Sequence, residues 1–266
     1  MRRSEWPDLP QQVRAAVQDH TGPVAGSVPV ERGEHADFRA VLDAEGGRVF
    51  VKGMRTADRT ADLVALRREA RINPHVTHLA PYVLWEVEAG GWLLAGFEYV
   101  AGRHLEYAPG SPDLEHLALV VERLGATPTP AGMTLQVEQR WPDEPDLSPL
   151  AGERHLLHTD LNPGNLLATE AGRVYVVDWG HVTRGAAWLE QGLLIPWLIQ
   201  AGHAPVQADE WLSRFRAWRT ADSAAVDLFS KVNADRWARL AEEGPARWRT
   251  AMAEATRAWA EYRTSG

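Results

Sequence analysis

The apolar and polar positions of the first hundred residues predict a small antiparallel sheet with two helices. Five short apolar runs alternate with turn residues and charged positions, a pattern that is typical of a meander followed by a hairpin. The predicted strands are residues 28–30, 38–43, 48–52, 82–85 and 92–97. Apolar positions at helical spacing predict helices over residues 9–19 and 61–72. The second helix is expected to stop before Asn73-Pro74, because a residue that precedes proline disfavours the helical conformation.

The apolar pattern changes to a mainly helical period after residue 100. An amphipathic helix is predicted over residues 113–124, and the proline-rich stretch over residues 128–149 predicts a loop. Two further strands are predicted at residues 165–168 and 173–177. From Trp188 onward the pattern is helical again.

These elements predict an α+β fold with two lobes. We expect a small antiparallel-sheet N-lobe over residues 1–100 and a mainly helical C-lobe over residues 101–266. The chain has 266 residues, of which 45% are hydrophobic and 24% are charged, so its composition is that of a globular protein. A chain of this length is long enough to bury a core in each lobe.

Composition also excludes several classes of function. The chain has no cysteine, which removes disulfides, thiolate metal sites and cysteine nucleophiles. Its formal net charge of -8 argues against a nucleic-acid partner, because phosphate contacts demand a basic surface. The strongest apolar stretch, residues 192–199, contains Pro196 and is too short to span a bilayer. We therefore expect a cytoplasmic protein that does not associate with a membrane.

The chemically most informative stretch is His158-Thr159-Asp160-Leu161-Asn162-Pro163-Gly164-Asn165, with Asp178-Trp179-Gly180 after it. Asp160 is expected on a loop between a helix and a strand, where it can orient an incoming hydroxyl as a general base. Asn165 and Asp178 can each supply an oxygen to magnesium. A single aspartate near a turn usually caps or forms that turn. Two carboxylates and one carboxamide at this spacing instead favour phosphoryl transfer from a nucleotide.

Lysine is rare in this chain, which makes its positions informative. The sequence contains only Lys52 and Lys231 and uses arginine elsewhere. Lys52 ends the apolar run Val49-Phe50-Val51, so the pattern places an ammonium group at the end of a buried strand.

The motif resembles the catalytic and metal-binding loops of the aminoglycoside phosphotransferase family, which has a protein-kinase-like fold. The family pattern is His-Gly-Asp, four residues and Asn, then a strand and Asp-Trp; Thr159 stands here in place of the glycine. The resemblance implies that Asp160 is the catalytic base and that Asn165 and Asp178 bind magnesium. It implies that His158 braces the loop; the alternative is a catalytic histidine.

The resemblance extends to the nucleotide-binding residues of the N-lobe. It implies that Lys52 binds the α- and β-phosphates of the donor and pairs with Glu69 on the following helix. Glu69 could instead be a solvated helix carboxylate. The resemblance also implies a hinge at Glu98 and Val100, and a phosphate loop with Gly33 and His35 that has one glycine where protein kinases have three.

The region after Asp178 limits the acceptor. Gly185 lies seven positions later and a helix starts almost at once, which leaves no room for the activation segment that protein kinases use to bind peptides. Glu190 lies five positions after that glycine, where the family usually has a structural aspartate, and the resemblance implies that it braces the catalytic loop. Several acidic residues of the C-terminal helices could face a cationic substrate, or could form a solvated surface. They are Asp209, Glu210, Asp235, Glu242 and Glu243.

The expected function is a magnesium- and nucleotide-dependent phosphotransferase that moves the γ-phosphate of ATP or GTP to a hydroxyl of a small molecule. Candidate acceptors are an aminoglycoside or another antibiotic, as in antibiotic resistance. One alternative is a metabolic or biosynthetic kinase that acts on a sugar, an amino alcohol or a Ser/Thr of a modified peptide. Another is a nucleotide-binding pseudokinase without turnover. The sequence sets no oligomeric state.

Overall fold

A computed structural model describes residues 4–30, 36–57, 60–141, 147, 154–244 and 246–265. The chain divides into two units, each made of two stretches of sequence. The first unit consists of Met1–Arg103 and Leu167–His181, and the second of His104–Leu166 and Val182–Gly266. Within the described ranges, no helix is long and apolar enough to cross a membrane.

The first unit is built on a five-stranded antiparallel sheet in the order β1-β2-β3-β5-β4. Its strands are β1 Val24–Pro29, β2 Phe38–Ala44, β3 Gly47–Arg55, β4 Val83–Ala89 and β5 Trp92–Glu98. The predicted meander and hairpin are both confirmed. β1 begins earlier than the sequence predicts, because pairing with β2 extends the strand through Gly26, where no apolar alternation marks it.

The two faces of this sheet are covered by two different helices. α1, Gln11–Thr21, buries Val13 and Val17 against one face, in a core with Leu42 and Val51. Leu66 of α2, Thr60–Val76, packs with Ala95 and Phe97 in a second core on the other face. Because side chains alternate along a strand, Lys52 points away from Val51 and toward the α2 side.

The predicted end of α2 is wrong, because the helix continues past Pro74 to Val76. Proline lacks the N–H that would bond one turn back, which normally ends or kinks a helix. Here the Asn73 side chain anchors the last turn. Its Nδ2 donates to the Pro81 carbonyl at 2.7 Å, and its Oδ1 accepts from the Val83 N–H at 2.9 Å.

The remaining strands are short. β7, His155–Leu157, pairs antiparallel with β10, Thr183–Gly185, in the second unit. β8, Leu166–Ala168, and β9, Val174–Val176, are neighbours in a separate small sheet, as the sequence predicts. β6 is Arg103–His104.

The second unit is mainly helical. It begins with α3, Asp113–Gly125, which matches the predicted amphipathic helix. Within the described residues five more helices follow: α4 Leu189–Gln200, α5 Pro205–Leu212, α6 Arg216–Arg219, α7 Ser223–Glu243 and α8 Arg247–Ser265. Short 3-10 turns occur at Trp6–Asp8, Val137–Arg140, Pro163–Asn165 and Trp179–His181. Phe229 lies at the centre of the aromatic core, with its ring 5.8 Å from those of Trp188 and Trp259.

Candidate active site

The loop that carries Asp160 lies between two strands, not between a helix and a strand as the sequence predicts. It leaves β7 at Leu157 and enters β8 at Leu166, after the 3-10 turn Pro163–Asn165. The expectation failed because β7 has only three residues, too few to give a strand period, and pairs with a distant partner in β10.

Side-chain amides position the Asp160 carboxylate. Asn162 Nδ2 donates to Asp160 Oδ1 at 3.0 Å, and Asn165 Nδ2 donates to Oδ2 at 2.9 Å. Asn165 Nδ2 also donates to the Asp160 carbonyl at 2.9 Å. Because Asp160 is partly exposed, its carboxylate can still meet a ligand. The structure thus brings together two of the residues that the sequence predicts, Asp160 and Asn165.

Glu190 binds the backbone at the start of this loop. Its side chain is 3% exposed, and its Oε2 accepts the His158 N–H at 2.6 Å and the Thr159 N–H at 3.1 Å. This is the bracing contact expected for Glu190. Burial raises the pKa of Glu190 to about 7, although the two backbone donors and nearby Arg140 oppose the shift.

His158 has no exposed surface and acts inside the loop. Its Nδ1 lies 3.2 Å from the Asp160 N–H, which donates to it. A fully buried ring in this position supports the loop backbone and is not presented to a ligand. The alternative of a catalytic histidine therefore receives no support from its position.

Two residues that the sequence does not single out also hold the loop. The Tyr107 hydroxyl donates to the Leu161 carbonyl at 2.9 Å. Arg140 donates a short hydrogen bond to Thr159 Oγ1 and a longer one, 3.4 Å, to the Thr159 carbonyl. No sequence signal marks Arg140, because it comes from the 3-10 turn inside the proline-rich loop.

In the first unit, Lys52 lies between two carboxylates. Its Nζ donates to Glu69 Oε1 and Oε2 at 3.0 and 2.9 Å, and to Asp178 Oδ1 at 3.2 Å. Lys52 and Glu69 are each 5% exposed. The expected pairing of Lys52 with Glu69 is therefore present, and the solvated alternative for Glu69 is wrong.

The charges of this group shift the pKa values of its carboxyls. The Lys52 ammonium holds the pKa of Asp178 well below its usual range; burial opposes this shift and Arg39 adds to it. Burial raises the pKa of Glu69, and Lys52 opposes that shift. Arg39 Nη2 lies 3.9 Å from Asp178 Oδ2. Arg39 is not among the residues predicted from the sequence. It lies on β2 directly opposite Lys52 on β3, as the register of the two strands requires.

The oxygen atoms of Asn165 and Asp178 suit magnesium. The Asn165 Nδ2 group is bonded to Asp160, which leaves Asn165 Oδ1 as the atom that can bind a cation. The Asp178 side chain is 38% exposed, so its carboxylate has a face open to ligands. Within the described ranges, no group of three or more His, Cys, Asp or Glu could hold a metal. Carboxylate and amide oxygens are each of a type that magnesium accepts beside waters and phosphate oxygens.

Of the other predicted nucleotide-binding residues, the structure describes Glu98 and Val100. Glu98 ends β5, and its N–H is bonded to the Tyr82 carbonyl at 2.8 Å. Val100 follows two positions later and is half-buried. Gly33 and His35 lie outside the described residues.

Comparison with known proteins gives one family match. Residues 114–229 match the model of the phosphotransferase enzyme family, APH. This segment contains the whole His158–Asn165 loop, Asp178 and Glu190. No curated protein sequence matches the chain.

Several solved structures share the fold at low sequence identity. A thermostable variant of aminoglycoside phosphotransferase APH(4)-Ia, in a ternary complex with AMP-PNP and hygromycin B, is 17% identical with a TM-score of 0.67, covering 97% of this chain and 99% of its own. Choline kinase LicA from Streptococcus pneumoniae is 13% identical with a TM-score of 0.63, covering 94% and 98%. An aminoglycoside phosphotransferase from Alicyclobacillus acidocaldarius is 15% identical with a TM-score of 0.61, covering 98% and 95%.

Proposed function

We propose that this chain is a member of the phosphotransferase enzyme family, whose model residues 114–229 match, and that it moves the γ-phosphate of ATP to a hydroxyl of a small molecule. The observation that supports this proposal most strongly is the fixed position of the Asp160 carboxylate. Two side-chain amides hold the carboxylate, and Glu190 braces the loop that carries it. A fixed, partly exposed carboxylate is what a hydroxyl acceptor needs for orientation. GTP is the alternative donor.

In the proposed step, the acceptor oxygen attacks the γ-phosphorus and forms a new P–O bond. The bond from that phosphorus to the bridging oxygen of the leaving ADP breaks, and Asp160 takes the hydroxyl proton late in the transfer. Asn162 and Asn165 hold the two Asp160 oxygens at 3.0 and 2.9 Å, so the carboxylate is oriented before the acceptor arrives. The products are ADP, the phosphorylated acceptor and a proton.

The residues of the first unit are proposed to bind the donor. Lys52 would contact the α- and β-phosphates, and its bidentate contact with Glu69 fixes its Nζ for that role. Asp178 and Asn165 would hold magnesium through their open oxygens, and bound magnesium neutralises charge that develops on the phosphates. Because Lys52 keeps the pKa of Asp178 low, this carboxylate is ionised at every physiological pH.

We propose contacts to the adenine from the position of Glu98 and Val100 at the end of β5. The Glu98 N–H is already bonded to Tyr82, so Glu98 would offer the nucleotide its carbonyl, and Val100 its N–H. Gly33 and His35 are proposed to lie over the phosphates. We also propose a cytoplasmic location, because nucleotide donors are abundant there.

The acceptor is proposed to be a small molecule. β10 and α4 follow Asp178 within eleven positions, so no peptide-docking segment separates the metal-binding position from the helices. An acceptor screen would decide which compound is phosphorylated: an antibiotic, a sugar, an amino alcohol or a modified peptide.

A single substitution tests the proposed chemistry. Asp160→Asn keeps the shape of the side chain and removes the base, so transfer should fall by about a hundredfold or more. The matched control is Asp235→Asn, since Asp235 is exposed and paired with Lys231 on the surface of α7. ADP release and acceptor mass are measured over a broad acceptor panel with ATP and magnesium. Full activity in Asp160→Asn would contradict the proposal.

A further inference from the structure

A pocket in the second unit opens beside Asp160. The pocket, called here the Asp160 pocket, has a cavity of about 40 Å³, enough for a carboxylate-sized group but not for a whole sugar. The residues that line it include Arg140, Trp141, Asp160, Asn233, Arg236 and Trp237. Asp160 is thus part of the wall of this pocket.

The charge of this wall is positive apart from Asp160. Arg140 and Arg236 both line it. The Asp160 and Glu190 carboxylates act on Arg140, whereas the charged groups that act on Arg236 are the cations Arg140 and Arg239. Burial lowers the pKa of Arg236 to about 10, and the positive charges of Arg140 and Arg239 act in the same direction. Arg236 therefore stays charged at neutral pH although it faces other cations. A bound anion would offset the repulsion between these charges.

The hydrogen-bonding groups of Arg236 are available to a ligand. Its guanidinium lies 5.4 Å from the centre of the Trp237 ring, and in the described part of the chain it donates to no other residue. A guanidinium has five N–H donors in a planar fork that matches a carboxylate or phosphate. Stacking on Trp237 holds this fork in place without using its donors.

One buried polar group of the wall also lacks a partner. The indole N–H of Trp141 is buried without an acceptor among the described residues. Asn233, which is 2% exposed, lines the same wall. Leaving buried polar groups unpaired is costly, so such groups in a pocket wall indicate a polar ligand.

The acidic residues that could have favoured a cationic acceptor lie elsewhere. Asp209 accepts the Trp218 indole N–H at 3.1 Å, and Asp235 pairs with Lys231 at 2.8 Å. Of the five acidic residues named in the sequence analysis, none lines the Asp160 pocket as the structure describes it.

We infer that the acceptor carries an anionic group, a carboxylate or a phosphate ester, close to the hydroxyl that is phosphorylated, and that Arg236 binds this group with Arg140 beside it. The inference rests on the proposed function, because it identifies the ligand beside Asp160 with the acceptor. It excludes polycationic acceptors, whose amines would lie against two arginines.

Four small hydroxyl compounds of similar size test the charge preference. They are glycolate, glycerol phosphate, neutral glycolamide and cationic ethanolamine. Calorimetric titration of the full chain should show that an anion binds about tenfold or more tightly than ethanolamine. The tighter of the two anions identifies the group as carboxylate or phosphate. Equal binding of all four, tighter binding of ethanolamine, or no binding of either anion would overturn the inference.

A pair of arginine variants tests the site itself. Arg236→Gln should weaken binding of the preferred anion about tenfold and leave glycolamide unchanged. Arg257→Gln is the matched control, because Arg257 is 70% exposed on α8 and does not line the pocket. Circular dichroism checks that both variants fold. Unchanged anion binding in folded Arg236→Gln would overturn the assignment.

Transfer assays separate this inference from the proposed function. The same four compounds are incubated with ATP and magnesium, with wild-type chain and with Asp160→Asn. Transfer to ethanolamine in preference to both anions would overturn the inference and leave the proposed function standing. Transfer to none, with anion binding that still depends on Arg236, would contradict the proposed function and leave the anion site standing.

Discussion

Two residues of the candidate active site have a left-handed backbone conformation. Thr159 and Asp178 both have φ of 68°, a region that favours glycine. For a β-branched residue such as Thr159 this conformation is strained. Glu190 and Arg140 hold Thr159 by its N–H and its hydroxyl, which compensates for the strain. Thr159 is also the position where the family pattern has glycine.

Substitutions at Thr159 should separate the strain from the hydrogen bond. Thr159→Ala and Thr159→Gly both lose the hydroxyl contact with Arg140, but only glycine relieves the backbone strain. We predict that the glycine variant is more stable than the alanine variant by about 1 kcal/mol. Urea unfolding of the two variants measures this difference. A less stable glycine variant would show that the backbone here is not strained.

The raised pKa of Glu190 makes stability depend on pH. Folding raises this pKa from 4.5 to about 7, so the carboxyl favours the folded state fully below pH 4.5, and that contribution is lost as the pH rises to about 7. Relative to Glu190→Gln, the wild type should lose about 3 kcal/mol of unfolding free energy across this range. Denaturant unfolding at several pH values gives the difference. A difference that is constant with pH would contradict the shift.

The sequence predicts those site contacts that depend on one strand or one loop. The resemblance to the aminoglycoside phosphotransferase family, which rests on such short segments, implied both the Lys52–Glu69 pair and the Glu190 brace. The roles of Arg140 and Arg236 could not be predicted, because these residues come from a proline-rich loop and from the middle of a late helix. Only the folded chain brings them to the same wall.

At the scale of elements, the sheet of the first unit depends on a close approach between β4 and β5. Gly96 of β5 pairs with Trp85 of β4, next to an irregularity in the register. A Cβ at Gly96 would lie 2.2 Å from the Trp85 ring, where the rigid indole cannot yield. The ring therefore occupies the space that any larger side chain would need.

Gly96→Ala should destabilise the chain by about 2 kcal/mol through this clash. Gly125→Ala is the matched control, because a Cβ at the end of α3 meets nothing within 4 Å. The control should be neutral or slightly stabilising. Thermal and urea unfolding compare the two. Equal stability of both variants would show that β4 and β5 are not in close contact at this point.

The elements that sequence patterns predict well are those with long apolar periods. α3 and β5 follow their patterns closely, whereas β4 continues four residues beyond its predicted end. The prediction fails where tertiary contacts override local preference, as at Pro74, where Asn73 anchors the helix end. It also fails at β7, which is too short to show a period.

At the scale of the whole molecule, the proposed chemistry is divided between the two units. Lys52, Glu69 and Asp178 belong to the first unit, whereas Asp160 and Asn165 belong to the second. Each group is already organised within its own unit, by the Lys52 ion pairs in one and by the amide contacts of Asp160 in the other. The proposed reaction therefore requires both units.

Magnesium and ATP should together stabilise the whole chain. At a hundredfold excess over the dissociation constant, a ligand that binds only the folded state adds about 2.7 kcal/mol. Thermal unfolding should show this gain with ATP and magnesium, and chelation by EDTA should remove most of it. Asp178→Asn should lose the magnesium dependence, whereas Asp235→Asn should keep it. Equal stabilisation by ATP in EDTA would contradict the metal roles of Asn165 and Asp178.

The central claim is that the chain transfers a phosphoryl group to a hydroxyl. The most direct test uses ATP whose γ-phosphate is labelled with heavy oxygen, followed by mass spectrometry of an acceptor panel that includes anionic, neutral and cationic alcohols. We predict that wild-type chain adds one labelled phosphate to an anionic alcohol and that Asp160→Asn does so about a hundredfold or more slowly. Strong stabilisation by ATP and magnesium without any labelled product would contradict the claim and identify a nucleotide-binding protein without turnover.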